Sequence, residues 1–271
     1  MILPKQRPIG IFDSGTGGLG IFKAIAQRLA HHDLVYVADN ANLPFGEKSV
    51  EQLHSITETI VHFFIENYDV QMVVVACNTA TVTSIDYLRQ QFSIPIVGAV
   101  PVVKPACLLS KNKHVAILAT PTTVASCYLK NLITQYGDGI DVITIGCPGL
   151  ANLIDTGDLD SPEITTLLKR FLAPVIQHNV DVIGLGCTQY PFLRDQIISL
   201  IPYQVAILDS NEPVAKQVER LINHHPRDID TLHHATYTLH ATKNAAHFGV
   251  VAQKLIGTIA GNCSQITLEL V

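Results

Sequence analysis

The feature that most constrains the fold is a set of three apolar segments that occurs twice along the chain. Each copy starts with a short apolar strand, continues through a helical pattern to a second strand, and ends with a third strand that leads into a cysteine. Nearly equal offsets between the copies predict two similar units with the same order of elements. The equivalent positions are 106, 107 and 110 residues apart: Ile9 and Val115, Val35 and Val142, Cys77 and Cys187.

Short apolar strands alternate with helical patterns in both copies, which predicts parallel sheets covered by helices. The strand MVVVAC (Met72–Cys77) is apolar throughout, as expected where helices cover both faces of a sheet. The expected fold class is therefore α/β, with two pseudo-symmetric units of mainly parallel sheet. Ligands of such sheets bind beyond the carboxyl ends of the strands, so we expect the active site in the cleft between the units.

A domain boundary is expected in the segment Ile94–Pro105, which is rich in proline and poor in helical pattern. The segment Val205–Pro213 suits a return of the chain to the first unit. We therefore predict a discontinuous first domain, residues 1–97 and 208–271, and a second domain, residues 98–207. The last helices and strand would complete the first domain.

Composition excludes several classes of function. Hydrophobic residues make up 48% of the chain and charged residues 15%, which predicts a sizeable core. A net charge of -5 without basic clusters argues against binding to nucleic acid or to anionic membranes. The N-terminus lacks the apolar core of a secretory signal, and no apolar run approaches the ~20 residues of a spanning helix. We expect a soluble, cytoplasmic protein with reduced thiols.

No metal site is expected from the cysteines or the histidines. None of the six cysteines forms a C-x-x-C pair. The C-terminal region is rich in histidine, but no carboxylate or cysteine falls at ligand spacing there. These histidines are His224, His225, His233, His234, His240 and His247.

The two cysteines that end the third strand of each copy suggest acid–base chemistry. Small hydroxyl or amide residues follow Cys77 and Cys187, and each cysteine is expected to open a helix whose N-terminal dipole lowers the thiol pKa. No histidine adjoins either cysteine, and the expected compartment disfavours a disulfide. Paired thiols could instead act on one carbon, where one removes a proton and the other donates a proton from the opposite face. The product would be the mirror image of the substrate.

Four motifs resemble those of bacterial glutamate racemases, in the cofactor-independent aspartate/glutamate racemase superfamily. The resemblance covers about 210 of the 271 residues, in order and at matching spacing. The motifs are FDSGTGG (Phe12–Gly18), ADNANLPFG (Ala38–Gly46), ACNTAT (Ala76–Thr81) and GCTQYP (Gly186–Pro191).

The resemblance implies a cofactor-independent, two-base mechanism in which Cys77 acts on D-glutamate and Cys187 on L-glutamate. Asp13 would lie near the substrate amino group or tune the Cys77 side, and Asp39 and Asp155 would tune the thiols. The product D-glutamate would supply peptidoglycan synthesis. The resemblance also allows a homodimer. The resemblance assigns substrate binding to Asp13, Ser14, Pro44, Phe45, Gly46, Asn78, Thr79, Thr120, Thr123, Thr188 and Gln189.

The chain departs from the family pattern at three of these positions. The family usually has His where this chain has Gln189, Tyr where it has Phe45, and Glu where it has Asp155. Glutamine cannot exchange a proton near neutral pH, whereas histidine can. We therefore expect an active racemase with a weakened or asymmetric turnover on the Cys187 side.

Three other interpretations are open at the level of sequence. GTGGLG (Gly15–Gly20) has the spacing of a dinucleotide-binding fingerprint, and Asp39 falls near the position of a ribose-binding acid. Against this, Asp13 would oppose a pyrophosphate, and both cysteine turns would be unexplained. The chain could also bind an amino acid without turnover, given Gln189, or racemise aspartate or another amino acid.

Overall fold

A computed structural model describes residues 7–224, 233–260 and 262–268 of the chain. The strands within these residues lie close to the apolar segments that the sequence indicates. They are β1 (Ile9–Asp13), β2 (Leu34–Ala38), β3 (Met72–Val75), β4 (Ile96–Gly98), β5 (His114–Ala119), β6 (Asp141–Gly146), β7 (Val182–Gly186), β8 (Ala206–Leu208), β9 (Tyr237–Ala241) and β10 (Asn262–Gln265).

Helices connect the strands. Short 3-10 helices span Phe45–Glu47, Tyr190–Leu193 and Gly257–Ala260. The α-helices are α1 (Leu19–Arg28), α2 (Val50–Tyr68), α3 (Asn78–Gln91), α4 (Val103–Leu109), α5 (Pro121–Ala125), α6 (Cys127–Tyr136), α7 (Leu150–Asp155), α8 (Pro162–Gln177), α9 (Arg194–Ser199), α10 (Asn211–His224) and α11 (Ala245–Ile256).

Side-chain caps explain where several of these helices begin. At the start of α2, the Ser49 hydroxyl accepts from the backbone N–H of Gln52, and the Gln52 side chain accepts from the backbone N–H of Ser49. This capping box satisfies two amides that a helix start otherwise leaves unpaired. Ser161 caps α8 in a similar way and is followed by a proline, which suits the first helical position.

The strands form two sheets whose pairings are all parallel. The first has the order β10-β9-β2-β1-β3-β4, and the second has the order β6-β5-β7-β8. In each, the first strand of the repeated set lies between the other two, since β2-β1-β3 matches β6-β5-β7. The predicted α/β class with two mainly parallel sheets is confirmed, and the shared order agrees with the repeat.

The described residues group into two compact units, which we call unit 1 (1–99 and 211–271) and unit 2 (100–210). The predicted boundaries at 97/98 and 207/208 lie two and three residues before these divisions. That each unit is a domain in its own right stays a prediction. The return of the chain adds two strands to the first sheet, β9 and β10, where the sequence suggested one.

The core of each unit is built from buried strands and the apolar faces of the covering helices. All five residues of β1, β2 and β7 are buried, and so are all four of β3. Strand β6 at the edge of the second sheet is half-exposed instead. No helix within the described residues is both long and apolar enough to cross a membrane.

Candidate active site

Cys77 lies at the carboxyl end of the first sheet, where β3 gives way to α3. The strand ends at Val75, and the backbone N–H of Ala76 still donates to the carbonyl of Phe12 on β1, at 2.8 Å. Cys77 has an extended backbone, with φ -119° and ψ 122°, and forms the N-cap of α3. Its side chain is 5% exposed. The expected helix start after the cysteine is therefore present in unit 1.

The sequence predicts a lowered pKa for the Cys77 thiol, and this prediction is wrong. Burial, together with the negative charge of Asp13, raises the pKa of the Cys77 thiol to about 12. Backbone N–H groups of Ala80, Ser14 and Thr79 act in the opposite direction, as a helix start should. Desolvation of the thiolate outweighs them, because the sulfur has lost most of its contact with water. The free protein therefore keeps this thiol protonated at neutral pH.

Asp13 ends β1, next to β3, and holds the loop that follows it. One carboxylate oxygen accepts from the Ser14 hydroxyl at 3.0 Å and from the backbone N–H of Gly15 at 3.2 Å. A Cβ atom at Gly18 would lie 2.9 Å from the Cβ of Asp13 and 2.9 Å from that of Ala76. The glycine therefore lets the loop pack directly against the strand ends that carry Asp13 and Cys77.

Asn78 presents a buried acceptor beside the thiol of unit 1. Its Nδ2 donates to the carbonyl of Ala99 at 2.6 Å, which fixes the orientation of the amide. Its Oδ1 is buried and has no hydrogen-bond partner in the described part of the chain. Buried acceptors without partners are rare, so this oxygen is a suitable contact for an N–H donor on a ligand. Thr79, which follows, is also buried.

Asp39 is held by residues that the sequence did not single out. Its carboxylate accepts from Asn42 Nδ2 at 2.9 Å and from the Thr242 hydroxyl at 2.8 Å. Burial raises its pKa, although both hydrogen bonds oppose that shift. Its backbone N–H donates to the carbonyl of Asp13 at 2.9 Å, so the two strand ends are joined. That Asp39 tunes a thiol stays a prediction.

The loop predicted to lie over the substrate contains a cis peptide bond between Leu43 and Pro44. A 3-10 helix with Phe45 and Gly46 as its first two residues follows and contacts α3. The Phe45 ring is 2% exposed, so it packs inside unit 1. A phenylalanine fits this position because its ring carries no hydroxyl that would need a partner.

Cys187 occupies the equivalent point of unit 2, directly after β7, and its side chain is 7% exposed. The expected α-helix at this cysteine is wrong. A 3-10 helix starts at Tyr190, and the backbone N–H of that tyrosine donates to the carbonyl of Cys187 at 3.2 Å. The buried residues Thr188 and Gln189 lie between them. A proline at 191 fits this turn, since it occupies an early helical position.

Polar atoms of side chains surround the Cys187 sulfur. The thiol donates to Gln189 Oε1 over 3.9 Å, within the longer range of sulfur hydrogen bonds. The phenol of Tyr190 is fully buried, and burial, together with the thiols of Cys187 and Cys147, raises its pKa. The sequence does not indicate the contact between Tyr190 and Cys147, because the two residues lie 43 positions apart.

The remaining predicted residues of unit 2 follow β5 and α7. Thr120 caps α5, where its hydroxyl donates to the hydroxyl of Thr123 at 3.0 Å and accepts from the Thr123 backbone N–H at 3.3 Å. Asp155 is the last residue of α7. Thr120, Cys147 and Cys187 thus follow the three neighbouring strands β5, β6 and β7. In unit 1, Asp13 ends β1, and Asp39 and Cys77 follow β2 and β3.

In the loop Gly15–Gly20, which has the spacing of a dinucleotide-binding fingerprint, two backbone N–H groups are used in hydrogen bonds to neighbouring residues. The backbone N–H of Gly15 donates to the Asp13 carboxylate, and that of Leu19 donates to the Thr16 carbonyl at 3.1 Å. A pyrophosphate site needs such amides to face the ligand. Within the described residues, no group of three potential ligands could hold a metal ion. His225 and the side chain of His224 lie outside the described residues.

Comparisons with known proteins show which family the chain resembles in sequence and fold. A glutamate racemase from Herpetosiphon aurantiacus is 42% identical over 218 residues, which is 80% of this chain and 85% of that protein. The crystal structure of Francisella tularensis glutamate racemase in complex with D-glutamate has a TM-score of 0.85 and 25% identity, and the match covers 97% of this chain and 98% of that one.

A second solved structure binds the other enantiomer. Escherichia coli glutamate racemase, in complex with L-glutamate and the activator UDP-MurNAc-ala, has a TM-score of 0.85 and 28% identity, and the match covers 97% of this chain and 99% of that one. Residues 16–218 match the family described as Asp/Glu/Hydantoin racemase. Because that match spans most of the chain, and the Herpetosiphon relative is so similar over four-fifths of it, the chain belongs to the Asp/Glu/Hydantoin racemase family of isomerases.

Proposed function

We propose that the chain is a glutamate racemase that interconverts L- and D-glutamate with Cys77 and Cys187 as its two bases and without a cofactor. The observation that carries the proposal is the equivalent position of two buried thiols, each directly beyond the third strand of the order β2-β1-β3 or β6-β5-β7. The relatives named glutamate racemase, one crystallised with D-glutamate and one with L-glutamate, support the choice of substrate.

The proposed reaction moves one proton in and one proton out at the α-carbon. One cysteine, as thiolate, takes the α-proton, so that the C–H bond breaks and an S–H bond forms. The electron pair left on the carbon takes a proton from the other thiol on the opposite face. The enzyme ends with its protonation states exchanged and is ready for the product enantiomer. The proposal therefore requires both sulfurs to reach one α-carbon.

Asp13 would link substrate binding to activation of Cys77. The carboxylate of Asp13 opposes ionisation of this thiol in the free protein. A substrate ammonium group near Asp13 would offset that charge and favour the thiolate. The unpaired Asn78 Oδ1 would accept a hydrogen bond from the same ammonium group. Binding would thus generate the base only when an amino acid is present.

The other predicted site residues would bind the carboxylates. Hydroxyl and amide donors suit this task because carboxylates are acceptors only. The donors are Ser14, Thr79, Thr120, Thr123, Thr188 and Gln189, with Pro44, Phe45 and Gly46 forming the adjacent loop. The product D-glutamate would enter peptidoglycan synthesis, so the proposal includes a cytoplasmic location and a role in cell-wall biogenesis and cell shape.

Circular dichroism with each enantiomer of glutamate tests the proposal. The signal should decay to zero from both L- and D-glutamate without added cofactor. In heavy water, the α-carbon should also gain deuterium in both enantiomers. L- and D-aspartate serve as the matched substrates, and a preference for aspartate would reassign the side-chain length. NADH fluorescence should not change on addition of the protein.

A binding protein without turnover is the second candidate, and Gln189 is the observation that favours it. Such a protein would bind glutamate in calorimetry, yet neither racemise it nor exchange its α-proton. Absence of both signals, with binding retained, would replace the racemase proposal by this one.

A further inference from the structure

Tyr190 lies between two thiols of unit 2. Its hydroxyl donates to the backbone carbonyl of Cys147 at 3.3 Å, its backbone N–H donates to that of Cys187 at 3.2 Å, and the thiols of both cysteines contribute, after burial, to the raised pKa of the phenol. The ring is completely buried in the core that also contains both cysteines. Cys147 follows β6 and Cys187 follows β7, on either side of β5. The tyrosine therefore spans the carboxyl ends of two strands.

The two polar neighbours of Cys187 favour opposite protonation states of its sulfur. Gln189 Oε1 accepts from the thiol and so favours the protonated form. A phenol hydroxyl can donate to the thiolate, and charge-assisted hydrogen bonds of this kind are stronger than neutral ones. Burial and the two nearby thiols raise the pKa of Tyr190 well above its usual value, so the phenol keeps its proton for donation.

We propose that the Tyr190 hydroxyl is a positioning residue that holds and stabilises the Cys187 thiolate, in place of the proton-exchanging neighbour that Gln189 cannot provide. The inference rests on the proposed function, in which Cys187 acts as a base. The Cys147 thiol donates to the Ile145 carbonyl at 3.6 Å, so its own proton is already used there. Ionisation of Cys187 would therefore turn the phenol from Cys147 toward the stronger acceptor.

The groups that titrate around this phenol belong to three elements. Cys147 and Cys187 face it from the ends of β6 and β7. Helix α7, which packs against the 3-10 helix of Tyr190, ends in Asp155. A carboxylate near the turn would oppose thiolate formation, whereas the phenol would favour it. Removing the phenol hydroxyl should therefore raise the pKa of Cys187, whereas removing the Asp155 carboxylate should lower it. The direction of the shift distinguishes the two roles.

The test measures the thiol itself, by iodoacetamide alkylation across pH with mass-spectrometric quantification of the Cys187 peptide. Tyr190→Phe keeps the ring and removes the donor. We expect the midpoint of Cys187 alkylation to rise by about one pH unit, which corresponds to about tenfold slower alkylation below the midpoint. Cys127 is exposed and serves as the internal reference, which should not change.

Tyr203→Phe is the matched control in the same unit. The Tyr203 hydroxyl also donates to a backbone carbonyl, that of Val175 at 3.0 Å, but its pKa is raised by burial and not by a thiol. This variant should leave the Cys187 midpoint unchanged. If Tyr190→Phe does not fold, 3-fluorotyrosine at position 190 keeps the hydroxyl and makes it a stronger donor, so the midpoint should fall.

Two outcomes would overturn the inference. One is a Cys187 midpoint that is unchanged or lower in Tyr190→Phe, and the other is an equal rise in Tyr203→Phe. Failure of the proposed function looks different, because it appears in the parent protein as a lack of racemisation while the alkylation shift persists. With both correct, Tyr190→Phe also lowers turnover, and it moves the acidic limb of the pH–rate profile for L-glutamate upward, because Cys187 must lose its proton to act as the base.

Discussion

The two cysteine turns occupy equivalent points of two similar sheets, yet different chemical groups lie next to the two sulfur atoms. In unit 1, backbone N–H groups of Ser14, Thr79 and Ala80 surround the sulfur of Cys77 at the start of a 14-residue helix. In unit 2, the Cys187 thiol donates to the side chain of Gln189, the phenol of Tyr190 is a further neighbour, and a 3-10 helix follows.

The two thiols therefore differ in how far substitutions can change their surroundings. Backbone amides are present whatever the side chains are, so the environment of Cys77 changes mainly through burial and through Asp13. The environment of Cys187 includes the side chains of Gln189 and Tyr190, which substitution can change. Departures from the family pattern are thus chemically more consequential in unit 2. The following experiments test this contrast, beginning with the largest expected effect.

Removing either thiol should stop racemisation but leave a different partial reaction in each variant. Because each base contributes about 10²- to 10⁴-fold, Cys77→Ala and Cys187→Ala should each lose at least about 10²-fold in turnover. The remaining thiol can still remove and return a proton on its own face. Cys187→Ala should therefore exchange the α-proton of D-glutamate only, and Cys77→Ala that of L-glutamate only, as measured by NMR in heavy water.

Cys127→Ala is the control for the thiol variants, since Cys127 is exposed. It should racemise glutamate like the parent. Exchange of both enantiomers by either single-thiol variant would show that one base serves both faces, and the contrast between the turns would then have no catalytic meaning.

Close packing around the turns should differ between the units. A Cβ at Gly18 would lie 2.8 Å from the Tyr36 hydroxyl and 2.9 Å from Ala76, both in the rigid core. A Cβ at Gly186 would lie 3.0 Å from the Cβ of Ala119. Overpacking costs about 1–3 kcal/mol, so we expect Gly18→Ala to lower the free energy of unfolding by that amount and Gly186→Ala by less. Urea titration gives both values.

Gly249→Ala provides the reference for these glycine variants. It lies in α11, and its new Cβ would be 3.5 Å from Cys263, an ordinary contact. Alanine has the higher helix propensity, so this variant should be stabilised by up to about 1 kcal/mol. A Gly186→Ala variant less stable than Gly18→Ala would contradict the packing difference.

The charge of Asp13 should act on Cys77, whereas that of Asp39 should not. Asp13 is one cause of the raised pKa of about 12 at this thiol, after burial. Asp13→Asn removes the charge, so the pKa should fall by about one unit, and alkylation of Cys77 at pH 9 should rise about tenfold. Peptide mass spectrometry after iodoacetamide treatment measures the rate.

Asp39→Asn is the matched variant for Asp13→Asn. The hydrogen bonds of Asp39 go to Asn42 and Thr242, so the Cys77 rate should stay at the parent value. An increase equal to that of Asp13→Asn would support the role in thiol tuning that the family resemblance assigns to Asp39.

The sequence was sufficient for those features that depend on neighbouring residues. Apolar runs that end in Cys77 and Cys187 identify the strands, and the shared offset identifies the paired sheets. The sequence could not predict the direction of the pKa shift at Cys77, because burial and the distant Asp13 outweigh the local helix start. The hydrogen bonds from Asp39 to Thr242 and from Tyr190 to Cys147 also needed the fold, which joins segments far apart in the chain.

The smallest expected effect is a gain in rate from Gln189→His. The side chain at position 189 faces the Cys187 sulfur at 3.9 Å, and an imidazolium there would favour the thiolate. We expect turnover from L-glutamate to rise up to about tenfold. Because the two enantiomers have equal free energies, kcat/KM must rise equally in both directions. Only the separate kcat and KM values, from circular dichroism progress curves, can reveal which side was slow.

Gln189→Glu places a negative charge at the position where Gln189→His places a positive one. A carboxylate next to the sulfur opposes its ionisation, so turnover should fall below that of the parent. If histidine gives no gain while glutamate gives a loss, Gln189 already provides what this position can contribute, and the Tyr190 phenol is left as the main stabiliser of the Cys187 thiolate. If both variants match the parent, position 189 does not act on the thiol, and the contrast between the two turns must come from Asp13 in unit 1 and Tyr190 in unit 2.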